Sequence, residues 1–263
     1  MSIQSAASIA RAYSKWRRPF AAFMTRLDRS GVDYLSHSKV TQFERCPRCY
    51  YRQYILLERH ESQPLLLGSI FHDAAERLYG KAGPANPRLL LKKLPTKKLE
   101  PERRRKLLNA VRLLCENRWP EQDDVLSVEE PFFMDLGDDL PPVIGIADLI
   151  LRQGKKLAVV DHKTSGKFND TSAGQLVLYA EHARIKFGPR PVIGFYDEYR
   201  LVADLSSIRK PAFRRTCVTV SRRLLPPLVS RYHKAWRQIR EMSVGNPPAS
   251  AYDCWFCKSL WRR

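Results

Sequence analysis

Between Val143 and Ser165 the chain reads V-I-G-I-A-D-L-I-L-R-Q-G-K-K-L-A-V-V-D-H-K-T-S. Two apolar runs rich in Val, Ile and Leu flank a polar turn at residues 152–156, the pattern of a β-hairpin. Each run carries an acid where so apolar a strand has no use for one. With the turn centred on Gln153 and Gly154, Asp148 faces Val159, and Asp161 and Lys163 follow on the same face because strand side chains alternate. The two carboxylates are then diagonal neighbours, about 7 to 8 Å apart at the backbone. Either acid alone reads equally as a solvated strand end or half of a salt bridge. Three charges converging in the most apolar part of the chain are costly to bury unpaired, and a shared hard cation with an ammonium beside it offsets that cost. A one-residue slip would turn Asp148 to the other face, so the reading rests on register.

The 263 residues, 44% of them hydrophobic, can fill the interior of one large domain or of a core with an added subdomain. Lys and Arg outnumber Asp and Glu by 46 to 27, a formal charge of +19, which points to a polyanionic partner, nucleic acid before membrane. No apolar run is long enough to cross a bilayer, so the chain is expected to be soluble, without a membrane partner, and cytoplasmic in a prokaryotic or viral setting. Residues 1–30 hold six basic residues and one acid, with Trp16, Phe20, Phe23 and Leu27 at helical spacing. They suit an amphipathic helix, a DNA-contacting arm or an organellar targeting peptide. Four of the six cysteines form two C-x-x-C pairs, which fits metal ligation in a reducing compartment better than a disulfide framework.

Residues 34–57 read as an extended entry and a helix with Ser38 as N-cap. A second short helix covers residues 68–80 and carries His72 beside an apolar surface, where a lone histidine is more often a core residue than a ligand. Residues 101–119 form a helix whose E-R-R-R-K start is either a phosphate track or a solvated face. The acidic stretch 121–139 contains a first strand. After the hairpin, a helix over residues 172–187 puts Gln175 and Tyr179 one turn apart, and residues 191–201 return as a strand. Residues 200–240 bear eleven Lys or Arg against one acid and include a helix with Tyr232 and Trp236, the best candidate for electrostatic contact with a nucleic acid.

The order His72, Gly145-x-x-Asp148, Asp161-x-Lys163 and Gln175-x-x-x-Tyr179 resembles the PD-(D/E)xK nuclease superfamily, and within it the RecB-type nucleases. The resemblance runs from about Ser36 to Tyr179. It implies an α/β fold with a restriction-endonuclease-like core, a mixed central sheet flanked by helices. It also implies a deoxyribonuclease that hydrolyses phosphodiester bonds with Mg²⁺ or Mn²⁺. Asp148 and Asp161 would hold the ion, His72 would complete its shell, and the His162 backbone carbonyl is the family's usual extra ligand. Lys163 would orient or deprotonate the attacking water, or bind the phosphate. Gln175 and Tyr179 would position the DNA strand and the lysine.

Cys46, Cys49, Cys254 and Cys257 lie at opposite ends of the chain in C-P-R-C and C-W-F-C and make a four-thiolate metal site. A subset of RecB-type nucleases, including the AddB and CRISPR adaptation types, clamps its termini with a 4Fe-4S cluster held by one N-terminal cysteine and C-x-x-C-x5-C. Cys46, Cys254 and Cys257 match three of those positions. The fourth falls on Arg263, and Cys49 stands in its place. The resemblance implies the iron-sulfur cluster, while paired C-x-x-C motifs suit tetrahedral Zn²⁺ equally well. Cys115 and Cys217 read as core residues. The expected organisation is a basic segment over 1–33, a helical part over 34–120 with the first cysteine pair, a nuclease core over 121–201 and a basic helical part over 202–263 with the second pair. The helical cap is stapled by the four cysteines. The expected activity is exonucleolytic trimming of single-stranded or frayed DNA beside repair or recombination proteins. The alternatives are a non-catalytic nucleic-acid-binding module and an RNA-processing nuclease.

Overall fold

The computed structural model describes residues 33–58, 62–80, 86–120, 124–137, 139–168, 172–242, 245–251, 254 and 257. The basic segment 1–30 lies outside the described residues.

Helix α1 (His37–Arg45) begins two residues earlier than Ser38 would allow as a cap. Ser36 is the cap, and its hydroxyl accepts from the Lys39 N–H at 3.1 Å. Ser38 sits inside the first turn, where its hydroxyl bonds that of Ser36. The single helix expected to follow is broken at Cys46, whose backbone is extended at φ −162°. Pro47 causes the break, because proline disfavours helical geometry in the residue before it. The chain restarts as α2 (Pro47–Tyr50) and runs into a π-helical turn over Tyr51–Ile55.

Helix α3 (Gln63–Tyr79) starts earlier than Gly68, capped by the Ser62 hydroxyl with Pro64 in its first turn. It packs with α4 (Pro87–Leu91) and α5 (Pro101–Glu116) through Leu67, Phe71, Ala74, Leu90, Leu107 and Val111. Three of the four cations at the start of α5 find local partners. Arg103 and Lys106 pair with Glu100 and Glu102, and Arg104 donates to the carbonyls of Thr96 and Leu99.

The sheet has five strands in the order β1 (Asp124–Met134), β2 (Val143–Gln153), β3 (Lys156–Ser165), β4 (Val192–Arg200) and β5 (Phe213–Val218). Strands β2 and β3 are antiparallel, β3 and β4 parallel, β4 and β5 antiparallel, so the sheet is mixed. The parallel pair requires a crossover, and helix α6 (Gly174–Phe187) supplies it, packing on β3 and β4.

The β2–β3 turn is Gly154-Lys155, not Gln153-Gly154, because Gln153 pairs with Lys156. Gly154 adopts φ +59°, which a side-chain-bearing residue resists and which a two-residue type II′ hairpin demands at its first position. The register therefore moves by two residues rather than one. Continued from the Leu149–Val160 pair, it sets Asp148 across from Asp161 and keeps Asp148, Asp161 and Lys163 on one face. Helix α6 covers that face, while α3 and α5 meet the other through His162 and Tyr199.

Strand β5 falls inside the tract expected to contact nucleic acid, and its arginines turn to carboxylates. Arg215 pairs across the strands with Asp197, and Arg214 with Glu198. Both acids are buried. Arg222 pairs with Glu181 and Arg231 with Glu44.

By their contacts the described residues divide into two units. One comprises residues 61–130 and 146–224, which include α3 to α6 and most of the sheet. The other is assembled from residues up to 60, 131–145 and from 225 onward. It contains α1, α2 and α7 (Leu225–Ile239), with α1 packed on α7 and the His37 ring nitrogen 3.0 Å from the Tyr232 hydroxyl. In this unit Gly145 on β2 lies beneath the ring of Phe132 on β1.

Candidate active site

The residues read from the sequence as catalytic come together within the larger unit, and four of them close a ring. The Lys163 ammonium lies 2.7 Å from Asp161 Oδ2 and donates to Gln175 Oε1 at 3.0 Å. Gln175 Nε2 donates to the Tyr179 hydroxyl at 2.7 Å, and that hydroxyl donates to Asp161 Oδ1 at 3.3 Å. Helical spacing puts Gln175 and Tyr179 on one face of α6, and strand alternation puts Asp161 and Lys163 on one face of β3. The ring is the product of those two periodicities. Gln175 and Tyr179 thus bear directly on the lysine and the acid.

His72 reaches the same centre from α3. Its Nδ1 lies 2.9 Å from Glu129 Oε1 and 3.7 Å from Asp148 Oδ2. One donor atom each from His72, Glu129 and Asp148 falls within 4.8 Å of the others. Glu129 was missed. It sits in the acidic stretch 121–139, where a run of carboxylates hides the one that lies among Val128, Pro131 and Phe132. The usable signal was an acid inside an apolar strand, the same signal that marked Asp148. Glu129 holds its carboxylate there from a left-handed backbone, φ +47°, a conformation that costs a non-glycine residue about 1 to 2 kcal/mol.

The backbone N–H of His162 donates to Asp148 Oδ2 at 2.7 Å, so the segment expected to lend a carbonyl also orients the first acid. The His162 side chain leaves the site for the opposite face, stacked on Tyr79 and edge-on to Phe71.

Electrostatics follow from burying like charges together. Burial drives the Asp148 carboxyl up to about 8, with His72 pulling it down and Asp161 and Glu129 pushing it further up. Burial works against a charged His72, but Asp148, Glu129 and Asp161 outweigh it and carry the imidazole to about 9. Lys163 is raised in the same way, with Asp161 and Asp148 overcoming its desolvation. Burial holds the Tyr179 hydroxyl far above its ordinary value, so it remains a donor. The donor set fits a hard divalent ion: the carboxylates of Glu129 and Asp148 and the imidazole of His72 converge, while the neighbouring Asp161 Oδ2 is engaged by the Lys163 ammonium.

The four paired cysteines come together in the other unit. Cys46, Cys49 and Cys254 are buried and Cys257 packs against them. Sγ–Sγ distances are 3.6 Å for Cys46–Cys257 and 3.3 Å for both Cys49–Cys254 and Cys49–Cys257. The Ala251 N–H donates to Cys46 Sγ at 3.4 Å. Cys115 is half-buried, and Cys217 is exposed rather than part of the core.

No curated protein matches the sequence. A solved structure of a candidate exonuclease from Eubacterium rectale superposes with a TM-score of 0.60 at 13% identity, covering 90% of each chain. At that identity the likeness concerns the fold. The family model of the PD-(D/E)XK nuclease superfamily matches residues 34–259, a span that takes in the ring, the His72 cluster and both cysteine pairs. The chain belongs to the PD-(D/E)XK nuclease superfamily.

Proposed function

We propose that this chain is a RecB-type deoxyribonuclease that uses Mg²⁺ or Mn²⁺, an exonuclease acting on single-stranded or frayed DNA in repair, recombination or related DNA processing. The observation that carries the reading is the closed ring of Asp161, Lys163, Gln175 and Tyr179 beside the His72, Glu129 and Asp148 cluster. A module that only bound an anionic strand would gain nothing from burying Asp148 and Asp161 with Glu129 beside them.

Asp148, Asp161 and His72 are the ligands in this reading, Glu129 joins them, and the His162 carbonyl completes the set. A divalent ion held by these residues would supply charge neutralisation at the scissile phosphate and a lowered pKa for bound water. Lys163, held by Gln175 on one side and Asp161 on the other, aims an ammonium at the attacking water or the phosphate. Tyr179 fixes the Asp161 carboxylate by donating to it, and its raised titration keeps that proton in place. Glu129 gives His72 a fixed orientation through Nδ1. The stretch 121–201 supplies the core of the chemistry, with His72 lent by the helical part 34–120.

The test is incubation with 5′- and 3′-labelled single- and double-stranded DNA and RNA in Mg²⁺ or Mn²⁺, beside Asp161→Ala. Metal-dependent shortening of single-stranded DNA that falls at least 10³-fold in the variant is expected, because one essential carboxylate commonly carries several kcal/mol of the barrier. Cleavage that survives Asp161→Ala, or a parent inert with every metal and substrate, rejects the proposal. Cleavage confined to RNA rejects its choice of substrate.

A further inference from the structure

We infer that the four-cysteine cluster binds a single tetrahedral Zn²⁺ ion and not the four-iron, four-sulfide cluster that the resemblance to iron-sulfur-stapled nucleases implies. The spacing of the sulfurs decides for a single ion against a cluster, and the paired C-x-x-C turns select zinc as that ion. Around one ion with Zn–S bonds of about 2.3 Å, tetrahedral geometry puts each pair of thiolates about 3.8 Å apart. In a four-iron cluster each cysteine caps a different iron, so the sulfurs are separated by an iron–iron edge plus two outward bonds, about 6 Å. Here three pairs lie at 3.3 to 3.6 Å, and all four sulfurs fall within 4.8 Å of one another. No corner of a cube fits inside that set. A two-iron cluster fails for the same reason, since its two thiolate pairs stand on opposite sides of the iron–sulfide core. Disulfides are also excluded, because bonded sulfurs approach to about 2.05 Å and all four cysteines are free.

The local backbone explains why the sulfurs converge so closely. The break at Cys46 leaves that residue extended while Cys49 lies in the helical turn that follows Pro47, so one tight turn presents two thiolates to the same point. The N–H of Ala251 points at Cys46 Sγ and favours its thiolate form, the form a metal takes. In the iron-sulfur pattern the first segment gives one cysteine and the last gives three. Here each segment gives two, and the position that would complete the cluster is Arg263. A two-plus-two set on paired C-x-x-C turns is the arrangement of closed structural zinc sites.

The experiment is elemental and acid-labile sulfide analysis of the full-length protein, produced with zinc and iron both supplied and purified without air, then passed through a mild chelator to clear the nuclease centre. One zinc per chain without labile sulfide is expected. Iron in place of zinc, with or without sulfide, or a chain without tightly held metal, overturns the inference. Exchange with Co²⁺ gives a second readout on the folded protein. The intense visible bands of a tetrahedral cobalt tetrathiolate are expected, and a weak octahedral spectrum overturns it. Cys254→Ser should lose the ion and melt at lower temperature, whereas Cys217→Ser and Asp161→Ala keep one zinc. Metal content unchanged in Cys254→Ser would reject the site. None of these measurements depends on nuclease activity.

Discussion

Glu129 holds a strained left-handed conformation with its carboxylate 2.9 Å from His72, and such strain persists where the surroundings over-determine it. Replacing it, Glu129→Gln, should raise the half-saturating Mn²⁺ concentration for cleavage by about tenfold, the usual scale for a residue that orients a metal ligand. The rate at saturating metal should change much less. Metal titration of cleavage checks both. Because a proton on His72 competes with the ion, and that proton leaves only as pH approaches about 9, the metal requirement of the parent should fall steadily from pH 7 to 9.

His162 gives a stability test on the other face. Burial pushes its imidazole down to about 3, below the unfolded value of about 6.5. A depressed value means the ring's contribution is fully present above pH 6.5 and is lost as pH falls toward 3, at up to about 1.4 kcal/mol per pH unit. His162→Phe, among the rings of Phe71, Tyr79 and Tyr199, should flatten the acid side of the unfolding profile. An unchanged slope would assign acid sensitivity to the carboxylates instead. At this scale the sequence was most informative where a residue type contradicted its surroundings, as Asp148 and Asp161 do in apolar strands. Glu129 escaped because its neighbours are acids too, and its backbone conformation is not written in residue type.

Strands and their turns carried the next layer. Strand periodicity placed Asp148, Asp161 and Lys163 on one face even though the turn centre was off by one position, because the resulting two-residue register shift preserves facing. Strand β5 was illegible for a physical reason: Arg214 and Arg215 read as contacts for a nucleic-acid backbone until the partner strand is known. Their counterparts Asp197 and Glu198 sit 16 to 18 residues earlier, and matching an acidic pair to a basic pair across a reversal would have revealed the ladder. Gly145 entered the sequence reading only as the start of Gly145-x-x-Asp148, with no reason given for a glycine there. Its role is space, since a Cβ there would stand 2.3 Å from the Phe132 ring. Gly145→Ala should cost about 1 to 3 kcal/mol by denaturant unfolding, and adding Phe132→Leu should restore part of the loss. Equal destabilisation with and without the second change would place the strain elsewhere.

Over the molecule as a whole, the count of 46 Lys and Arg overstates what is free to meet a phosphate backbone, because some of them are held by buried acids. Arg215 grips Asp197 with two nitrogens at 2.7 and 2.8 Å while lying 3.8 Å above the Trp119 ring, and Trp119 Nε1 donates to the same carboxylate. Arg215→Gln should therefore lower the melting temperature by several degrees yet leave the salt dependence of single-stranded DNA binding nearly unchanged. Loss of a phosphate contact would lower the slope by about 0.7 per contact. No helix among the described residues is long and apolar enough to cross a membrane.

The smaller unit is stitched from three separate stretches of chain, and the two halves of its cysteine cluster are 208 residues apart in the case of Cys49 and Cys257. On a ribosome adding about 5 to 20 residues per second, the first thiol pair emerges on the order of 10 to 40 s before the second. The larger unit ends at residue 224, so all of its residues are made before the second thiol pair. Ion capture therefore waits for the second cysteine pair, and a chain stopped before Cys254 leaves the first pair with nothing to close upon.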